Sequence, residues 1–335
     1  MRTEVCITID TEFNIGGAFT YPDRYTPLAE RVVDCPVNGR DEGLGFILET
    51  FAKTGVSGTF FVEALNVAYF GDGPMGGIAR RILAAGHNVQ LHLHPCWLTF
   101  RNPQWHQMVK TARPNDSCAG RSYDELAEIV EEGLAAFERW GLPKPIALRA
   151  GGLHADLMLY RVTADAGIPI ASNIGLSIYS PKVPELHLWG GRHWVQGVLE
   201  LPILSYRDFQ IGSRPHCRTL TVTGSSWPEF KTLLWQARRA GVSPVVVLTH
   251  PFEYVKKRNF RYEDIRRNRI NQRRLVNLCR FLRENDQDFV GCSFREGADR
   301  WLSSDGCDDP RLSVSPVFTF LRAAHNVTND RLWWY

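Results

Sequence analysis

The chain alternates short apolar runs with longer amphipathic stretches. The runs at 4–10, 57–63, 88–93, 145–149, 168–172, 198–203, 244–249 and 288–293 have strand length and predict strands. The stretches 42–53, 76–85, 123–140, 155–166, 226–240 and 271–285 carry helical periodicity. Start and stop signals agree. Ser122-Tyr123-Asp124-Glu125 has capping-box form, and Ser226 precedes Trp227-Pro228-Glu229. Gly55, Gly86, Gly141 and Gly241 follow helical runs, where a left-handed turn suits glycine. Strands alternating with helices predict an α/β protein with parallel strands, most simply a barrel.

No internal repeat or low-complexity linker divides residues 1–335, which reads as one domain. Two stretches interrupt the rhythm. Residues 13–41 contain Pro22, Pro27 and Pro36, and residues 97–121 contain Arg101-Asn102-Pro103 and Arg113-Pro114-Asn115. Both follow strands whose ends carry unusual chemistry, and long loops beside a site usually shape it.

The first such strand, Val5-Cys6-Ile7-Thr8-Ile9, runs into Asp10-Thr11-Glu12. The third, Asn88-Val89-Gln90-Leu91, runs into His92-Leu93-His94-Pro95. Side chains two apart on a strand share a face, so each strand end offers a pair of ligand-type groups on one side. If the strands are neighbours, two imidazoles and one carboxylate can hold a metal, with a second carboxylate beside it. Leu148-Arg149-Ala150-Gly151-Gly152 ends another strand with an arginine that needs a polar partner, and a carboxylate at the barrel mouth would serve. Val245 to Thr249 ends in His250-Pro251.

Composition narrows the field. Among 335 residues, 39 basic and 36 acidic side chains leave a formal charge of +3, which does not point to nucleic acid or an anionic membrane. A basic stretch, Lys256-Lys257-Arg258 continuing through Arg261, Arg266, Arg267 and Arg269, reads either as a solvated loop and helix start or as a docking edge for an anionic substrate. No apolar run is long enough to span a membrane. The start Met1-Arg2-Thr3-Glu4 leads directly into a strand, so a cytoplasmic protein with reduced cysteines is expected. Oligomeric state is open, although Leu332-Trp333-Trp334-Tyr335 must be buried somewhere. Gly71-Asp72-Gly73-Pro74-Met75-Gly76 fits a phosphate-loop spacing, but it lacks the preceding strand that such loops need.

Five segments in order carry a resemblance: Ile7-Thr8-Ile9-Asp10-Thr11-Glu12, Gly58-Thr59-Phe60-Phe61-Val62, Gly86-His87-Asn88-Val89-Gln90-Leu91-His92, Leu148-Arg149-Ala150-Gly151-Gly152 and Leu248-Thr249-His250. Together, from about residue 4 to residue 295, the chain resembles the polysaccharide deacetylases of carbohydrate esterase family four. The resemblance implies a distorted (β/α)7–8 barrel, a divalent metal, usually zinc, and removal of N-acetyl groups from an amino sugar or polysaccharide precursor. It makes Asp10 the general base, Arg149 the residue that orients it, and His250 the general acid.

The match is not complete. The family has adjacent aspartates where this chain has Asp10 and Thr11, so the ligand role passes to Glu12. The family's second histidine falls at Cys96; His94, facing the same way as His92, is the better ligand by strand geometry, with Cys96 as the alternative. No aspartate stands near Ala171-Ser172-Asn173 to pair with His250. These departures leave two further readings: a catalytically silent sugar-binding or assembly protein, and a deformylase or cyclic-amide hydrolase. Trp97, Trp189 and Trp194 are candidates for stacking a sugar ring or for core packing.

Overall fold

The computed structural model describes residues 2–211, 214–306, 309 and 311–331; the apolar terminus Leu332-Trp333-Trp334-Tyr335 lies outside them. Its main sheet contains β1 (Thr3–Thr11), β2 (Gly58–Glu63), β3 (Asn88–Leu93), β4 (Ala147–Ala150), β5 (Ile170–Ala171), β6 (His193–Val195), β7 (Val198–Glu200), β8 (Val245–Thr249) and β9 (Phe289–Gly291). The order is β8-β1-β2-β3-β4-β5-β7-β6, with β9 also on β1. Every pairing is parallel except β6 on β7. The chain leaving β7 meets β8 again through an Ile203–Val246 bridge, which joins the two ends of the curled sheet at one point. This is the distorted, mostly parallel barrel that the alternation of runs predicts.

The strands are buried along nearly their whole length, as parallel strands covered on both faces must be. Helices α1 (Leu44–Thr54), α2 (Gly73–Ala84), α3 (Tyr123–Arg139), α4 (Leu157–Asp165), α5 (Trp227–Ala240) and α6 (Arg269–Glu284) lie over the outer face. Ile47, Phe51, Ile82, Ile129, Leu159, Leu233 and Leu278 join Val5, Ile7 and Ile9 of β1 in one continuous core cluster there. Ser122 and Glu125 form the expected capping box of α3, and Gly241 ends α5 at φ +72°. Gly71–Gly76 is the entry to α2, and Asp72 is tied to Arg139 and the Trp140 indole, so it is no phosphate loop.

Inside the barrel the even positions of β1 build a second layer. Cys6 belongs to an inner cluster with Phe61, Ala147, Leu199, Ile203 and Val246. Helix α7 (Phe294–Leu302), which the sequence pattern did not reveal, contributes Phe294 and Trp301 to this same cluster. Helix α8 (Pro316–Arg331) and an antiparallel hairpin, Ser205–Ile211 with Arg214–Thr219, are further additions. Arg322 of α8 is buried between Asp208 and Glu229, fixing the helix to the hairpin and to α5. Among the described residues no helix is long and apolar enough to cross a membrane.

Candidate functional site

Thr8 and Asp10 continue the inward face of β1 above Cys6, and Glu12 follows one pleat beyond. Arg149, at the inward face of β4, is fully buried and lies across this axis. Its guanidinium sits 4.1 Å above the Phe61 ring. It donates to Asp10 Oδ1 at 2.6 Å, Thr8 Oγ1 at 3.0 Å, and the Ser172 carbonyl and hydroxyl at 2.9 and 2.7 Å. A buried charge is tolerable when it is paired and its remaining donors are used, as here. The carboxylate that the sequence required for Arg149 is therefore Asp10.

Neighbouring strands bring the two pairs together, because β2 alone separates β1 from β3. Among the described residues, Glu12, His92 and His94 offer ligand atoms that lie within 4.8 Å of one another. His94 Nε2 is 2.7 Å and His92 Nε2 is 3.5 Å from Glu12 Oε2. Each imidazole has its other nitrogen engaged outside the cluster. His92 Nδ1 meets the Arg149 carbonyl at 2.9 Å, and His94 Nδ1 meets Asp116 Oδ2 at 2.7 Å. Partners of this kind fix the ring and tautomer of a metal ligand and leave Nε2 free to bind.

Charge supports the same fit. Burial opposes ionisation of Glu12, yet His94 and His92 hold its carboxyl well below the usual range. Burial likewise opposes charge on His94, but Glu12 and Asp116 push it well above the ordinary histidine value. The cluster thus favours a positive charge between Glu12 and the imidazoles, which a divalent cation would supply. Cys96 stands outside it. Among the described residues its thiol is not part of the group whose ligand atoms lie within 4.8 Å of one another, and burial, then Asp116, raise it well above the ordinary value.

Gly151 explains part of the glycine pair after Arg149. A Cβ there would lie 2.4 Å from His94 Nδ1, too close for any other residue without moving the ring.

His250, directly after β8, lies across the mouth. Its Nε2 is 4.0 Å from Asp10 Oδ2, which is itself 3.9 Å from His92 Nε2. The missing acid partner comes from an unexpected place. Glu253, one turn on, approaches His250 Nδ1 at 3.2 Å and accepts from Thr249 Oγ1 at 2.8 Å and the His250 amide at 3.1 Å. Burial disfavours the imidazolium, but Glu253, with Asp10 and Glu12 behind it, pushes His250 up to about 9.

Three partners escaped the sequence reading. Glu253 had a local signal, since an acid three residues after a strand end can reach back as in a capping box. Asp116 had none beyond its place in the 97–121 loop. Ser172, in the Ala171-Ser172-Asn173 stretch that lacks an aspartate, joins the site by pairing with Arg149. Trp97 is buried against Phe70 and Phe100, so it is core and not a sugar platform.

No family model matches this chain, and no curated protein matches it. Solved structures similar to it include a protein described as a polysaccharide deacetylase from Mycobacterium smegmatis, at 16% identity over 93% of this chain and 94% of that one, with a TM-score of 0.49. A family 4 carbohydrate esterase from Streptomyces lividans, in complex with acetate, is 11% identical over 92% and 98% of the two chains, at 0.41. A peptidoglycan N-acetylglucosamine deacetylase is 14% identical over 86% of each, at 0.40. Similarity at this level does not define a substrate, and the site itself must carry the function.

Proposed function

We propose that the protein is a metal-dependent hydrolase that removes an N-acyl group, N-acetyl in the first instance, from an amino sugar or polysaccharide precursor. The observation that carries this is the position of Asp10. Its Oδ1 is held by Arg149, while its Oδ2 stands about equally far from His92, at 3.9 Å, and His250, at 4.0 Å. A base, an acid and a set of metal donors thus face one small volume.

Glu12, His92 and His94 would hold the cation, and their donor set suits zinc. Such a cation, when bound, lowers the pKa of water and polarises an acyl carbonyl. Asp10 accepts the proton of the attacking water, with Arg149 holding its carboxylate in place. His250, held protonated by Glu253, donates to the departing amine. The acyl carbon gains the hydroxyl oxygen, the C–N bond breaks, and the products are a carboxylate and a free amino sugar. The reading as a silent scaffold drew on the altered second motif and on the lack of an acid beside His250, and Glu253 removes the second of these supports.

The test is acetate release from a panel of N-acetylated sugars, nucleotide sugars and lipid-linked sugars, with and without chelator. Release that stops with chelator and returns with added metal is expected. Metal and sugar binding without release from any class would favour the silent scaffold, and formate release from formylated sugars would favour a deformylase.

A further inference from the structure

The basic stretch after His250 is mostly consumed by the fold. Lys256 donates to the Asn329 carbonyl, Arg258 pairs with Asp264 and Arg267 with Glu42. Arg261 donates to the Gly16 and Thr26 carbonyls, which pins the tip of the hairpin Val255–Lys257 with Ile265–Arg267 onto the 13–41 loop. Lys257 is different. Among the described residues no carboxylate lies within ion-pair distance of it. Its side chain is exposed, and its neighbours are two aromatic rings. Nζ lies 4.4 Å from the Tyr262 ring centroid and 5.8 Å from that of Phe252, and it donates to the Tyr262 hydroxyl at 2.9 Å.

The platform under Lys257 is rigid. Tyr262 is 1% exposed and packs with Val32, Cys35, Val37 and Val255. It also holds φ +57°, a left-handed conformation unusual for a ring-bearing residue and sustained by that packing. Phe252, half-buried, stacks on the His250 imidazole at 4.9 Å between centroids and 25° between planes. The lysine charge therefore stands one aromatic ring away from the group assigned as general acid. Partial burial holds its pKa below the ordinary lysine value, as expected for an ammonium without an acidic partner.

We propose that Lys257, carried on the Phe252–Tyr262 platform, binds an anionic group of the substrate, a carboxylate or a phosphate, on the sugar whose acyl group is removed beside His250. This rests on the deacylase reading of the site and adds the substrate class: an acidic or phosphorylated N-acyl amino sugar. An exposed ammonium acts over a short, salt-screened range, so it selects among substrates more than it drives turnover.

The test uses the full chain, metal-loaded, as wild type and as Lys257→Met, Lys257→Arg and Lys257→Glu. N-acetylglucosamine, N-acetylglucosamine 1-phosphate and N-acetylmuramic acid are compared for binding by calorimetry and for acetate release. The two acidic probes separate phosphate from carboxylate. The wild type should prefer at least one acidic probe over the neutral one by about tenfold. That ratio should fall to near one in Lys257→Met, survive in Lys257→Arg, and invert in Lys257→Glu. It should also shrink between about 50 and about 500 mM salt. An equal ratio in wild type and Lys257→Met, or no preference in the wild type, overturns the proposal. A Lys257-dependent preference in binding without acetate release would count against the deacylase reading alone, and release without preference against the lysine alone.

Discussion

Glu253 holds His250 from within the same turn: Oε1 is 3.2 Å from Nδ1, and Oε2 accepts from the histidine's own amide. The carboxylate thus both shapes the turn and stabilises the charged ring. Burial works against the imidazolium, and Glu253 is the largest force in its favour. Glu253→Gln should therefore lower the His250 pKa. The acid form is then lost at a lower pH, so the alkaline limb of the kcat profile moves down relative to wild type. A limb that stays in place with equal loss at every pH would make Glu253 merely structural.

Asp116 reaches His94 from the 97–121 loop. Removing a partner of this kind typically weakens metal binding by about ten- to a hundredfold. Asp116→Ala should show that loss in competition with a chelator dye, and Asp116→Asn a smaller one, since the amide oxygen can still accept. Gly151→Ala should weaken binding too, because its Cβ would displace the His94 ring. Unchanged affinity in all three variants would remove His94 from the ligand set.

Much of this site was legible in the sequence for one physical reason. Ligand groups spaced by two on a strand must share a face, so Asp10 with Glu12 and His92 with His94 could be read without a structure. Arg149 was legible because an arginine after an apolar run demands a counter-charge. Asp116 was not, because nothing local to it encodes a contact with a residue 22 positions earlier. Helix α7 was missed because its apolar residues Phe294, Ala298 and Trp301 are few, though they plug the barrel from inside. Ser293 and Glu296 nevertheless form a capping box at its start, a signal that was there to read.

Arg149 balances a buried carboxylate, and that balance can be measured as stability. Arg149→Met leaves Asp10 uncompensated, which should cost about 3–5 kcal/mol in denaturant unfolding. Adding Asp10→Asn should recover a large part of that loss, since the stranded charge is then gone. A double variant as unstable as the single one would mean that Arg149 acts through packing on Phe61 and not through its charge pair.

Metal content measured beside acyl release tests the division of roles between the two carboxylates. Wild type, Asp10→Asn and Glu12→Gln are assayed together, by elemental analysis and by acetate release from the best N-acetylated sugar. Asp10→Asn should keep its metal and lose about a hundredfold to ten-thousandfold in turnover, the usual cost of removing a general base. Glu12→Gln should lose metal and activity together. Loss of metal from Asp10→Asn with retention in Glu12→Gln would contradict the assignment and exchange the two roles.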